Sequence, residues 1–252
     1  MIPAERHKII LSLLSQQDVI SINELVDNLA VSHMTIRRDI AKLEKDGKVL
    51  SVSGGVQLTT ILHNEPSHDA KAQQNAAEKA VIGKLASQFV PNNASVYLDA
   101  GTTSLEIARQ LAHRDDLLFI TNDFMIAMYL MKHSSCELYH TGGRVDRDNQ
   151  SSVGSKVADF LAGMNIDVAF VSTSSWNLRG LSTPSEPKVI IKKAVAKAAQ
   201  KTILISDSSK YGKVGTFHAL DIECFDIIIT DSAFPDSVRH ELEEKGIQVA
   251  LS

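Results

Sequence analysis

Arg37 and Arg38 stand side by side in the stretch VSHMTIRRDI. A guanidinium is a rigid fork of N–H donors that pairs two at a time with guanine O6 and N7, with phosphate or with carboxylate. Two of them just after a helix start could grip a duplex. A second set of residues suits a smaller anion. Asp99, Gly101, Thr102, Thr103 and Ser104 lie in DAGTTS, and Thr121 and Asn122 in TND. Gly142, Gly143, Ser151 and Ser152 lie in TGGRVDRDNQSSVG, Thr173 and Ser174 in STSS, and Asp207, Ser208, Ser209 and Lys210 in DSSKYGK. A glycine turn at a helix start offers free N–H groups and the positive end of the helix dipole. With hydroxyls and one lysine added, the chemistry fits a polyhydroxylated anion. Each of these residues taken alone reads as a cap or turn former, and only their gathering at several strand ends favours a ligand. The nine histidines form no H-x-x-x-H or H-E-x-x-H pair, so neither a metal site nor a cofactor is expected.

The elements that must position these groups fall into two parts. Residues 4–16 place Ile9, Ile10, Leu13 and Leu14 on one helical face. SINELVDNLA opens with Ser21, and Glu24 three residues later predicts a reciprocal capping box. After the turn AVS, Ser32 caps a third helix that ends near Gly47, with Ile36, Ile40 and Leu43 as its buried stripe. KVLSVSGGVQL then reads as two short strands joined at Gly54-Gly55. Three short helices and a small hairpin outline a winged helix-turn-helix over residues 1–57.

Residues 58–77 are polar, lack a clear period and contain Pro66, which marks a linker that turns helical toward its end. From 78 to 252, helix-like segments (78–90, 103–112, 123–133, 186–200 and 235–245) alternate with short apolar runs at 95–100, 117–122, 136–143, 167–175, 202–209 and 225–231. That alternation predicts an α/β domain with a mostly parallel sheet buried on both faces. Parallel strands gather their C-terminal ends at one crevice, where the hydroxyl-rich segments meet.

On the third helix, at about 100° per residue, Arg38 lies about 200° and Lys42 about 240° from Ile36. Ser32, His33, Met34, Thr35, Arg37, Arg38 and Lys42, with Lys48 and the wing glycines Gly54 and Gly55, are the expected DNA-binding set. Residues 31–48 hold five Lys/Arg and three acids, so the positive charge is local in a chain of net charge −4.

The chain has 252 residues, 44% hydrophobic and 22% charged, ordinary for a globular protein. Its two cysteines, Cys136 and Cys224, suit a reducing compartment and read as buried thiols. Charges begin at Glu5 and no apolar window reaches a membrane-spanning length, so a cytoplasmic protein with no membrane partner is expected. Met125, Met128 and Met131 follow helical spacing and read as core or helix-packing surface, and Trp176 as packing.

In order along nearly the whole chain, "ER", "ELV..LAVS..TIRRD", the wing "GG", "EK" at 78–79, "DAGTTS", "TND", "TGG" and "DSSKYGK" resemble the DeoR family of bacterial transcriptional regulators. The resemblance implies a sensor domain like ribose-5-phosphate isomerase, responsive to a phosphorylated sugar or related intermediate. It implies that DAGTTS and Lys210 hold the anion and that Glu186 contacts hydroxyls. STPSEPKVIIKKA departs from the family in having Pro187-Lys188 where acids are usual near the Lys-Lys pair. Glu186 is equally a first-turn acid that suits the helix dipole.

The function expected is a ligand-responsive repressor, assembled as a dimer or tetramer on double-stranded operator DNA and released by a phosphorylated sugar or sugar acid. The alternatives are a sugar-phosphate isomerase with an appended DNA-binding domain, for which Asp99, Asp207 and Glu186 are candidate bases, and an activator on the same scaffold.

Overall fold

The computed structural model describes residues 1–52 and 54–252. The N-terminal part comprises α1 (Pro3–Leu14), β1 (Val19–Ile20), α2 (Ile22–Leu29), α3 (His33–Lys45), β2 (Val49–Val52) and β3 (Gly55–Leu58). The strands form an antiparallel sheet in the order β1-β3-β2. Its core joins Ile10, Leu25, Ile36, Leu43, Val49 and Val56. Ile9, on the same helix as Ile10, stays partly exposed. Ser21 caps α2 by accepting the Glu24 N–H at 3.1 Å. The return half of the expected capping box is not made: the Glu24 carboxylate faces Gln17 Nε2 at 3.5 Å instead. Ser32 caps α3 by accepting the Thr35 N–H at 3.2 Å. Gly47, just beyond α3, takes φ +70°, which lets the chain reverse into the wing.

The segment between the two parts carries β4 (Thr60–Leu62), α4 (His68–Gln73) and the start of α5 (Ala76–Ser87). Then follow β5 (Ser95–Leu98), α6 (Thr102–Leu111), β6 (Leu118–Thr121), α7 (Phe124–His133), β7 (Glu137–His140), β8 (Arg144–Asp146), β9 (Ser151–Val153), α8 (Ser155–Ala162) and β10 (Ile166–Ser172). The chain continues through β11 (Ser175–Asn177), β12 (Gly180–Thr183), α9 (Glu186–Ala198), β13 (Ala199–Ile205), β14 (Lys213–Gly215), β15 (Phe217–Asp221), β16 (Ile227–Thr230), α10 (Asp236–Glu244) and β17 (Gln248–Leu251).

A seven-stranded sheet in the order β17-β16-β13-β10-β5-β6-β7 is the centre of this part. All its pairings are parallel. Both faces are covered, which is why its strands are continuously apolar. Val96, Leu98, Phe119 and Phe170 pack toward α5, α6 and α7. Tyr97, Ile120, Val171 and Leu204 pack toward α8, α9 and α10. The order reverses between β5 and β10, so the crevice above their C-terminal ends is a topological switch point.

The two parts touch. β4 pairs in parallel with β14, Ile61 opposite Val214. Leu50 of the wing packs against the sensor core. Alternation along β2 sends Val49 into the winged-helix core and Leu50 the other way.

Two expectations about single residues are corrected, those for the cysteines and the methionines, while Trp176 packs as expected. Cys224 is exposed and ends a 3₁₀ turn at Ile222–Cys224, while Cys136 is only partly buried. Met128 and Met131 point outward from α7, 45% and 69% exposed, because Ile126, Ala127 and Leu130 supply its buried face. Trp176 is fully buried and stacked on Phe234, with its indole N–H donating to Ser206 Oγ at 3.0 Å.

Candidate functional site

On α3, Ile36, Asp39, Ile40 and Leu43 are buried, and His33, Met34, Arg37, Arg38 and Lys42 are exposed. Thr35 is half-buried, its hydroxyl 3.0 Å from Ser32 Oγ. The ion pairs of this helix join Asp39 to Arg6 and Lys42 to Asp46, leaving Arg37 and Arg38 unpaired among the described residues. Lys48 and Gly54 are exposed in the wing. Arg37 lines a groove between α3 and the wing with Asn23, Ser51, Gly54 and Gly55. Gly55 is required there, since a Cβ would collide with the carbonyl of Ile20 on β1. The result is an unpaired basic helix face beside a glycine wing, which a major groove can accept.

Asp39 is the residue on this helix whose role sequence reasoning missed. It accepts Arg6 Nε at 2.6 Å, Arg6 Nη2 at 3.0 Å and His7 Nε2 at 3.0 Å. Burial would raise this carboxyl, but the Arg6 and His7 hydrogen bonds outweigh it and hold it below the usual range. Because Asp39 is consumed inside the domain, it does not offset Arg37 and Arg38 on the outer face.

The second site lies at the β5/β10 switch point. A narrow cleft there is lined by Asp99, Asn122, Thr173, Ser174, Lys188 and Lys192, among others. Asp99 Oδ2 accepts the Ser172 N–H at 3.0 Å and pairs with Lys192 Nζ, which also donates to Ser172 O at 2.6 Å. Asn122 Oδ1 accepts the Tyr97 hydroxyl at 2.9 Å and the Ala100 N–H at 3.0 Å. Burial, with Asp99 adjacent, pushes the Tyr97 phenol far above its usual range, so it stays a neutral donor. Gly101, with φ +151°, begins α6 and brings the backbone against Ser172.

Of the residues predicted from sequence, Asp99, Asn122, Thr173 and Ser174 meet in this cleft. Thr102, Thr103 and Ser104 are buried at the start of α6. Thr121 is buried, its hydroxyl donating to Leu98 O at 2.7 Å. Ser104, Ser151 and Ser152 are buried with hydroxyls that have no hydrogen-bond partner among the described residues. Gly142 and Gly143 form the turn after β7, with φ +62° and +112°. Glu186 is the first residue of α9 and faces a separate groove with Arg144 and Lys156. Lys210 lies in the 3₁₀ turn Ser208–Lys210 and pairs with Asp207 at 3.2 Å.

The lysines are the part that sequence reasoning overlooked. Lys188 and Lys192 stand one helical turn apart on α9, so one face delivers both to the cleft. Glu65, from the segment before α4, enters the same cleft and pairs with Lys188 and with Lys71, the latter at 3.2 Å. Lys79 is buried and donates to the carbonyls of Lys71 and Gln74. Its burial, with Lys210 and Lys71 near, lowers its pKa to about 8. The spacing of Lys188 and Lys192 was the available signal. Among the described residues no cluster of His, Cys, Asp and Glu could hold a metal ion, and no helix is long and apolar enough to cross a membrane.

A winged helix with an unpaired basic helix face, joined to a parallel-sheet domain with a polar crevice, is the build of a DNA-binding regulator with a sensor half. A DeoR-like helix-turn-helix domain matches residues 6–61, and the DeoR C terminal sensor domain matches residues 74–232. The chain therefore belongs to the DeoR family of transcriptional regulators. It is 54% identical to an uncharacterized HTH-type transcriptional regulator of Haemophilus influenzae, covering 100% of this chain and 98% of the relative. It is 47% identical to the HTH-type transcriptional regulator YgbI of Escherichia coli, covering 100% and 99%. The glycerol-3-phosphate regulon repressor of E. coli is 30% identical over 98% of each chain. Among solved structures, the chain is similar to ribose 5-phosphate isomerase A of Methanocaldococcus jannaschii at 18% identity and TM-score 0.41, over 55% of each chain.

Proposed function

We propose that this regulator is a repressor that holds operator DNA through α3 and releases it when a phosphorylated sugar or sugar acid binds the switch-point crevice. The observation that carries this reading is the arrangement of the crevice: Asp99, Asn122, Thr173 and Ser174 supply polar groups for hydroxyls, and Lys188 and Lys192 supply positive charge. The buried hydroxyls of Ser104, Ser151 and Ser152 and the nearby Lys210 would add contacts once an effector is seated. The name of the glycerol-3-phosphate regulon repressor, a relative along the full length, supports a phosphorylated effector.

On this reading Arg37 and Arg38 reach base edges, while Ser32, Thr35, Lys42, Lys48 and the wing at Gly54-Gly55 contact the backbone. His33 and Met34 sit at the groove-facing start of the helix. The protein works in the cytoplasm as a homo-oligomer that places winged helices on repeated half-sites. The naming of the relatives as regulators weighs against an isomerase. Electrophoretic shift of the gene's own upstream DNA, with and without sugar phosphates and sugar acids, tests the proposal. Release by one such compound supports it, and steady turnover of a sugar phosphate by the purified chain would favour the enzyme instead.

A further inference from the structure

Glu65 reaches the crevice from the segment of chain that links the two halves. Three residues after β4, which is paired to β14, it turns inward and keeps 13% of its side chain exposed. One carboxylate oxygen faces Lys71 Nζ at 3.2 Å and the other Lys188 Nζ. Lys71 is steadied by Asn149 Oδ1 at 2.5 Å. Burial would raise the Glu65 carboxyl, but Lys188 and Lys71 outweigh it and hold it at about 2. Glu65 is therefore an anion at any physiological pH.

The arrangement gives two ammonium groups to one carboxylate: Lys188 lines the cleft with Glu65, Asp99 and Lys192, and Lys71 reaches Glu65 from beside it. Lys192 is already held by Asp99 and by Ser172 O. Lys71 and Lys188 have Glu65 between them. An ion pair this enclosed is costly to leave half-made, because the two lysines would lose their counter-charge. Another anion of suitable shape could replace it without that cost, and Glu65 could then return to water.

We propose that Lys71 and Lys188 form an anion subsite, filled in the effector-free chain by Glu65 as an internal ligand, and that a carboxylate or phosphate group of the effector takes this position by displacing Glu65. The proposal rests on the crevice being the effector site. It adds that the joining segment is itself the competitor, so occupancy of the pocket and the hold on the segment exclude one another. Binding free energy is thereby spent on freeing the strap that carries β4, which is the differential contact a switch needs.

An internal ligand lowers apparent affinity by the fraction of time the site is free. Calorimetric titration of the full chain with inorganic phosphate, and separately with gluconate, compares wild type with Glu65→Gln. The variant should bind at least one probe about tenfold or more tightly, and Glu65→Gln/Lys188→Met should lose that gain. The probe that gains tells phosphate from carboxylate. Equal affinities, including no binding by either protein, overturn the proposal, as does a double variant that keeps the gain. Hydrogen exchange on the wild-type chain is the second measurement and needs no variant. Saturating phosphate or gluconate should speed exchange at residues 63–67, and unchanged exchange with both probes overturns the proposal. Operator binding by the wild-type chain is measured alongside. Its absence defeats the regulator reading, whereas the probe affinities alone decide the subsite.

Discussion

Leu50 of the wing lies against Gly212 of the sensor half so closely that a Cβ on Gly212 would overlap the Leu50 side chain. Gly212 has φ +80° and donates its N–H to Trp176 O at 2.9 Å. Two residues earlier in the same loop, Lys210 pairs with Asp207, which also accepts Asn75 Nδ2 at 2.8 Å. One short loop thus carries Lys210 at one end and the seat of the wing at the other. A shift of this loop on effector binding would move the wing directly.

Gly212→Ala should therefore uncouple the halves. The methyl group would push the Leu50 side chain aside, and the positive φ adds strain of about 1 kcal/mol. The expected outcome is a smaller effect of metabolite on operator affinity, together with faster proteolysis between residues 58 and 77. An unaltered metabolite effect and cleavage rate would show that this contact transmits nothing.

Arg38→Ala should weaken operator binding by about 1–3 kcal/mol if Arg38 reads a guanine, roughly tenfold or more. Arg38 is exposed and unpaired among the described residues, so thermal stability should hardly change. Fluorescence anisotropy across a salt series separates the cases. A loss confined to the cognate sequence marks a base contact, and a uniform loss with a shallower salt slope marks a phosphate contact.

Asp39→Ala should destabilise the winged helix by about 1–3 kcal/mol, since it removes the shared acceptor of Arg6 and His7 and leaves α1 unpinned from α3. Denaturant unfolding measures this. Operator affinity should fall in the same variant, because α3 is displaced rather than altered on its outer face.

Much of this organisation is legible in the sequence. The stripe Ile36, Ile40, Leu43 fixes which way α3 faces, and Arg37 and Arg38 follow from it. The apolar runs give the six strands from β5 to β16 that carry the crevice. Asp39 was readable too: at about 300° from Ile36 it lies on the buried side, and an acid there requires a cation. The crevice lysines are harder. Lys71 and Lys188 are far apart in sequence and meet only because Glu65, in a segment with no period, turns inward between them. The elements there, a three-residue strand and a six-residue helix, are too short to leave a repeat. β17, a half-exposed edge strand, and α8, an eight-residue helix with only Val157 and Leu161 buried, escaped because both are short.

The Glu65 clasp also has a pH signature. Its carboxyl falls from 4.5 to about 2 on folding, so its contribution to stability is fully present above about 4.5 and is lost as pH drops through about 2. Glu65→Gln has no such proton to take up. Acid unfolding followed by circular dichroism should be less steep in the variant across that window. Superimposable acid limbs would show that the pair with Lys71 and Lys188 does not persist in solution.

Competition between effector and operator is the most direct measurement of all. Labelled upstream DNA is bound to the full chain, and sugar phosphates and sugar acids are titrated in. A coupling of about 1–3 kcal/mol should lower operator affinity roughly 5–150-fold for at least one compound, with Lys192→Met blunting the response. Operator affinity that stays constant across every phosphorylated sugar and sugar acid, or no operator binding at any salt concentration, would contradict the account.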